Sequence, residues 1–192
     1  MKRRIDPGKL QWITKPELYI TNSDRILIET EPFSELIPAG SSAEAIELSL
    51  TPKGSFCFTI RTEYGYRRTF DQCVITVYAQ DERIAVAGTE YRDSEMQFLK
   101  CIVFHNGKGD QSGRDISSGI RKMYYRIWYR AGALRIQYSF TGSRYSDLRE
   151  FWAGTEKKIS IGIYACSPGD SWFDCTFSEM MLDEEDQKEG SL

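Results

Sequence analysis

The chain has 192 residues, 41% hydrophobic and 28% charged, with a formal net charge of −3 at pH 7. That size and balance suit one globular domain rather than a disordered chain. The mild acidity argues against a general affinity for nucleic acid or anionic membrane.

Aromatic residues make up 13% of the chain, eleven of them Tyr, and such side chains fit a pleated, half-buried surface. In chain order, Met1-Lys2-Arg3-Arg4 looks like a signal n-region, but Asp6-Pro7-Gly8-Lys9 stands where an apolar stretch would be needed. No apolar run reaches the length of a membrane span, so the expected location is the cytoplasm, with no membrane partner. Alternation and turn chemistry then predict strands at Leu18 to Ile20 and Arg25 to Thr30, joined by Thr21-Asn22-Ser23-Asp24. Phe56 to Ile60 follows the Pro52-Lys53-Gly54 breaker. Cys73 to Ala79, Ile84 to Arg92 and Met96 to His105 come next, the last ending in Asn106-Gly107-Lys108-Gly109-Asp110. Tyr124 to Arg130 and Leu134 to Phe140 form a hairpin around Ala131-Gly132-Ala133. Ile159 to Ala165 and Trp172 to Met181 close the set. Many short strands with little helical periodicity indicate a sandwich or barrel. Ser34 to Leu50 is ambiguous between a helical turn and an irregular strand. The expected organisation is one β-sandwich domain over 1–182 and an acidic, disordered tail over 183–192.

Cys57, Cys73, Cys101, Cys166 and Cys175 are odd in number and contain no CxxC pair. Most lie in apolar strand patterns and read as small buried hydrophobes. Zinc needs clustered thiolates or imidazoles, and His105 is the only histidine. No metal site and no cofactor are expected.

Trp12 with Lys15-Pro16, then Asp71-Gln72-Cys73, then Ala87-Gly88-Thr89-Glu90-Tyr91, follow one another along the chain. Arg126, Ile136-Gln137-Tyr138-Ser139, Gly162, Ala165-Cys166-Ser167-Pro168 and Thr176-Phe177 continue the series. In this order they resemble the uncharacterised concanavalin A-like lectin/glucanase family that includes the "regulation of enolase" protein. Each motif is weak alone, and their collinearity from about Leu10 to Leu182 carries the resemblance. It implies an all-β fold, a concanavalin A-like jelly-roll sandwich of two curved antiparallel sheets, one of which is concave and cups carbohydrate in similar folds. The family has no settled activity, so the resemblance speaks to fold more than to function. The chain departs from the family where a Trp, a His and a Tyr are common, around Glu35 to Leu50. Tyr78 and Val86 stand where the family often shows a basic residue.

Side chains alternate across a strand, so each strand presents two lists. The lists opposite the apolar ones contain Tyr78, Glu90, Arg126, Trp128 and Gln137. If these share one concave sheet, aromatic rings can stack on a sugar while Arg, Glu and Gln hydrogen-bond its hydroxyls. The plainer alternative is a solvated face on which Glu90 and Arg126 pair across strands.

Three sharper chemistries fit less well. Glycoside hydrolysis needs paired carboxylates, and Glu90-Tyr91-Arg92-Asp93-Ser94-Glu95 places Arg92 at the middle acidic position of the lectin/glucanase motif and a turn at Asp93-Ser94. A nucleophilic triad would have to use His105 without any accompanying Ser or Cys signature. Arg114, Arg121, Lys122, Arg126, Arg130, Arg135, Arg144 and Arg149, interleaved with Tyr124, Trp128 and Tyr145, could hold phosphates, but the acidic chain makes nucleic acid an unfavoured partner. The expected function is non-catalytic binding of a carbohydrate, or a related polyhydroxylated small molecule, on the concave sheet. The alternative is a protein-interaction module, as a homodimer or with another protein.

Overall fold

Along Ser55–Tyr64 every second side chain is buried, the period-2 pattern of a strand laid across a core. The same alternation runs through Lys122–Arg130, and register pairs Tyr125 with Ile60 and Ile127 with Phe58 on the inner side. The computed structural model describes residues 2–35, 43–47, 55–80, 82–154 and 158–185. In chain order the strands are β1 (Lys2–Arg4), β2 (Gln11–Thr14), β3 (Tyr19–Thr21), β4 (Arg25–Glu29) and β5 (Ala43–Glu47). The long ones follow as β6 (Ser55–Tyr64), β7 (Gln72–Ala79), β8 (Glu82–Tyr91), β9 (Met96–His105) and β10 (Lys108–Ser117). The set ends with β11 (Lys122–Arg130), β12 (Ala133–Ser139), β13 (Ser146–Trp152), β14 (Ile159–Cys166) and β15 (Asp174–Glu185).

These strands form two curved antiparallel sheets of a jelly-roll sandwich. The first sheet has eight strands in the order β13-β12-β11-β6-β15-β4-β3, with β1 also on β15. The second has seven, in the order β10-β9-β8-β7-β14-β5-β2. Between them one core buries Phe58, Ile60, Tyr125 and Ile127 from the first sheet against Ile75, Ala87, Leu99 and Ile163 from the second. The β11–β12 hairpin closes through Ala131 (φ 48°) and Gly132 (φ 88°), the doubly left-handed loop whose twist suits a two-residue hairpin.

Elements unseen in the sequence lie at sheet edges. β10 is an edge strand of largely exposed polar residues, and β13 is an edge strand that mixes exposed Ser146, Asp147 and Glu150 with half-buried Leu148 and Phe151, so neither carries a regular apolar alternation to read. The ambiguous 34–50 stretch contains a strand at Ala43–Glu47; 36–42 and 48–50 lie outside the described residues. Asp183–Glu185, expected to begin an acidic disordered tail, belong to β15. Asp183 pairs with Lys2 in β1 and with Cys57 in β6, and Glu184 meets Arg3 at 3.6 Å. The basic first strand and the β6 ladder thus hold Asp183–Glu185 in the sheet, while 186–192 lie outside the described residues.

Candidate ligand-binding face

β7 and β14 are buried along their whole length, so both of their faces are shielded. One face joins the core. On the other, Val74, Val86, Tyr164 and Cys166 form a second buried cluster against Ile102 and Phe104. Register aligns this outer face in rows: Cys166–Gln72–Glu90–Phe98, then Tyr164–Val74–Gly88–Lys100, then Gly162–Thr76–Val86–Ile102.

Charged groups lie within this buried surface. Lys100 is 3% exposed and Glu90 7%, and the Lys100 ammonium donates to Glu90 Oε2 at 2.5 Å and to Gln72 Oε1 at 2.8 Å. Arg92 closes on the other Glu90 oxygen at 3.0 Å. Taking an isolated charge out of water costs several kcal/mol, so such groups persist only when paired and hydrogen-bonded. A second cluster lies towards the opposite end. Glu44 accepts from the Tyr78 hydroxyl and from Arg83, each at 2.6 Å, and Arg83 Nε donates to Tyr78 at 3.2 Å. Burial, reinforced by Glu44, pushes the Tyr78 phenol well above its ordinary value, so it is a neutral hydroxyl that donates.

Two polar groups on this face retain unused capacity. Thr76 is fully buried, and its hydroxyl has no hydrogen-bond partner among the described residues. Lys100 has three N–H donors, and two are engaged by described residues. Around them, Gly88 and Gly162 remove side-chain bulk from adjacent rows. Gly88 is also where β8 approaches β7 so closely that an added Cβ would lie 2.4 Å from the Cys73 carbonyl oxygen. Val74, Val86 and Tyr164 pack between these polar groups, so the face combines apolar surface with a few hydrogen-bonding groups, a composition chemically suited to a sugar's ring and hydroxyls. It is unsuited to thiol chemistry, because burial pushes Cys166 up to about 12 and only the thiolate is nucleophilic.

The five residues expected to share one surface do not. Tyr78 and Glu90 lie on the outer face of the second sheet, while Arg126, Trp128 and Gln137 lie on the outer face of the first, beyond the core. Their parity within each strand is as expected. The error is in sheet membership: β11 pairs with β6 and β12, and β8 with β7 and β9. Glu90 consequently pairs with Lys100 and Arg92, never with Arg126. Asp93 lies in a turn and accepts the Glu95 and Met96 amides at 2.8 and 2.9 Å, which holds its carboxyl below the usual range. Lys100 went unseen because it sits between Leu99 and Cys101 in an apolar strand. It stands opposite Gly88, which places an ammonium on the outer face of the second sheet.

The profile of a protein family of unknown function, DUF1349, matches residues 12–185. The chain belongs to that family. Among solved structures, this DUF1349 chain is similar to a functionally unknown protein from Saccharomyces cerevisiae, with 23% identity and a TM-score of 0.78 over 94% of this chain and 99% of that one. An alginate lyase from Klebsiella pneumoniae superposes with a TM-score of 0.64 at 10% identity, covering 91% of this chain and 87% of the lyase. The CBM2 module of the Lactobacillus casei BL23 phage J-1 evolved Dit gives 0.62 at 6% identity, over 88% and 80% of the two chains. At these identities the likeness shows the fold of the DUF1349 chain and nothing finer. A search of curated proteins finds no match.

Proposed function

We propose that this protein binds a carbohydrate, or a related polyhydroxylated small molecule, on the outer face of the second sheet without transforming it. The observation that carries this reading is a buried polar surface away from the core, centred on Lys100, Glu90, Gln72 and Thr76, with spare hydrogen-bonding capacity. Solvated sheet faces expose their polar residues; this one buries them. An alginate lyase among the fold's neighbours supports the same ligand class. Kinship with the regulation-of-enolase protein and residence in the cytoplasm, where the five cysteines would remain reduced, belong to the same proposal.

Thermal-shift and calorimetric titration with a panel of neutral mono- and disaccharides tests it. A sugar that binds the wild type should lose at least tenfold in affinity in the Lys100→Met/Glu90→Gln variant, equivalent to about 1.4 kcal/mol. Unaltered affinity in that folded variant, or silence of the whole panel at millimolar sugar, would remove the basis for the reading.

A second reading, self-association, is favoured by Ile13, Leu18 and Ile20. They are 48%, 60% and 69% exposed at and beside the edge strands β2 and β3, and exposed apolar edges invite pairing with another copy. Light scattering behind size exclusion separates the two: a dimer lost on Ile20→Lys supports association through this edge.

A further inference from the structure

We infer that the outer face of the first sheet is a separate binding surface, for an anionic polysaccharide chain lying along β11. Successive outward side chains of that strand are Lys122, Tyr124, Arg126, Trp128 and Arg130, so cation and aromatic alternate. A strand rises about 3.4 Å per residue, which spaces neighbouring outward groups about 7 Å apart and the cations about 14 Å apart.

The carboxylates around this stripe are already matched. Arg61 takes Glu63 at 2.5 Å and Glu179 at 2.8 Å, and Arg135 takes Glu150 at 2.9 Å and Asp147 at 3.5 Å. None of Lys122, Arg126 and Arg130 forms an ion pair with a described residue. Arg126 is nevertheless held in place. Its Nε donates to Gln137 at 2.8 Å, and the guanidinium lies over the Tyr145 ring at 4.0 Å and near Trp128 at 5.6 Å. Its terminal nitrogens remain available as a preorganised fork for an anionic group. Beside it, Trp128 and Arg130 line an open depression of about 510 Å³ with Arg135 and Glu150.

A chain of sugars with carboxylate or sulfate groups fits this arrangement. The anions meet the unmatched cations, and the ring faces pass over the depression beside Trp128. A neutral glycan would leave the three cations unanswered. Single-stranded nucleic acid depends on open aromatic faces for base stacking. Here Lys122 lies 5.9 Å over Tyr124 and Arg126 lies near Trp128, so the rings already serve as seats for cations.

Affinity electrophoresis and calorimetry with polygalacturonate and dextran sulfate test this, with neutral dextran and oligo(dT) as controls. The two polyanions distinguish carboxylate from sulfate recognition, and binding of either supports the surface. Arg126→Gln/Arg130→Gln should weaken that binding about tenfold, and raising the salt should weaken the wild type further. Arg130→Gln alone, at an exposed side chain, should shift affinity in the same direction without touching the fold. Lys100→Met/Glu90→Gln, on the opposite face, should bind the polyanion like the wild type. Failure to bind either polyanion, binding of oligo(dT) alone, or equal affinity in the arginine variants would overturn the inference. Loss in the Lys100 variant with retention in the arginine variants would do so too, moving the polyanion to the second sheet.

Discussion

Replacing Lys100 by Met removes one charge from a buried pair while keeping most of the side chain's apolar length. Glu90, 7% exposed, would keep only Arg92, at 3.0 Å, and Gln72 would lose its 2.8 Å donor. Breaking a buried ion pair from one side typically costs about 3–5 kcal/mol. Because Arg92 continues to neutralise Glu90, the lower end, about 3 kcal/mol, is the expected loss. For a domain of this length that lowers Tm by about 6–12 °C. Adding Glu90→Gln removes the stranded charge, so the double variant should return to within about 1 kcal/mol of the wild type, as replaced buried pairs commonly do. Urea unfolding followed by circular dichroism, arranged as a double-mutant cycle, measures both numbers. A loss below about 1 kcal/mol for Lys100→Met, or a double variant no better than the single one, would refute the burial and coupling of this pair. The recovered double variant is also the one in which sugar affinity should be missing, which separates stability from binding.

Gly88→Ala should cost about 3 kcal/mol, the upper end for overpacking, because the new Cβ would meet backbone atoms at 2.4 and 2.6 Å; a thermal melt like the wild type's would contradict this. Tyr66→Phe should cost about 1–3 kcal/mol, since the buried Tyr66 hydroxyl accepts the Cys73 N–H at 2.9 Å and donates to the Thr89 carbonyl at 2.8 Å. Chemical denaturation of the variant reads that value. Stability should also fall in alkali. Burial pushes Cys101 and Cys166 each up to about 12, and also raises Tyr66 and Tyr125. The unfolded chain therefore releases thiol protons first, from about pH 8.5, binds fewer protons than the folded one, and is favoured as pH rises towards 12. Urea midpoints independent of pH across that window would show that these thiols are not shielded.

Long alternating strands were legible because their pattern is local. β7, β11, β12 and the inner lists of β8 follow directly from which side chains are apolar. β10 was not, because Lys108-Gly109-Asp110-Gln111-Ser112-Gly113 is a polar, mostly exposed edge whose backbone pairs with β9. The candidate face shows the same division. Parity placed Tyr78 away from Ile75 and Val77, and Trp128 away from Ile127 and Tyr129, as the structure does. Membership of a sheet depends on pairing between distant segments, such as β6 with β11 and β15, which no within-strand pattern encodes. Lys100 was readable in one respect: a lysine flanked by Leu99 and Cys101 in an apolar strand either interrupts the strand or meets a buried partner.

The most direct test is amide NMR of the labelled protein titrated with the neutral sugars. The account predicts that shifts for a binding sugar concentrate at Gln72, Thr76, Gly88, Glu90 and Lys100, with β11 unmoved. Shifts scattered over loops, or gathered on β11 while Gly88 and Lys100 stay silent, would contradict it.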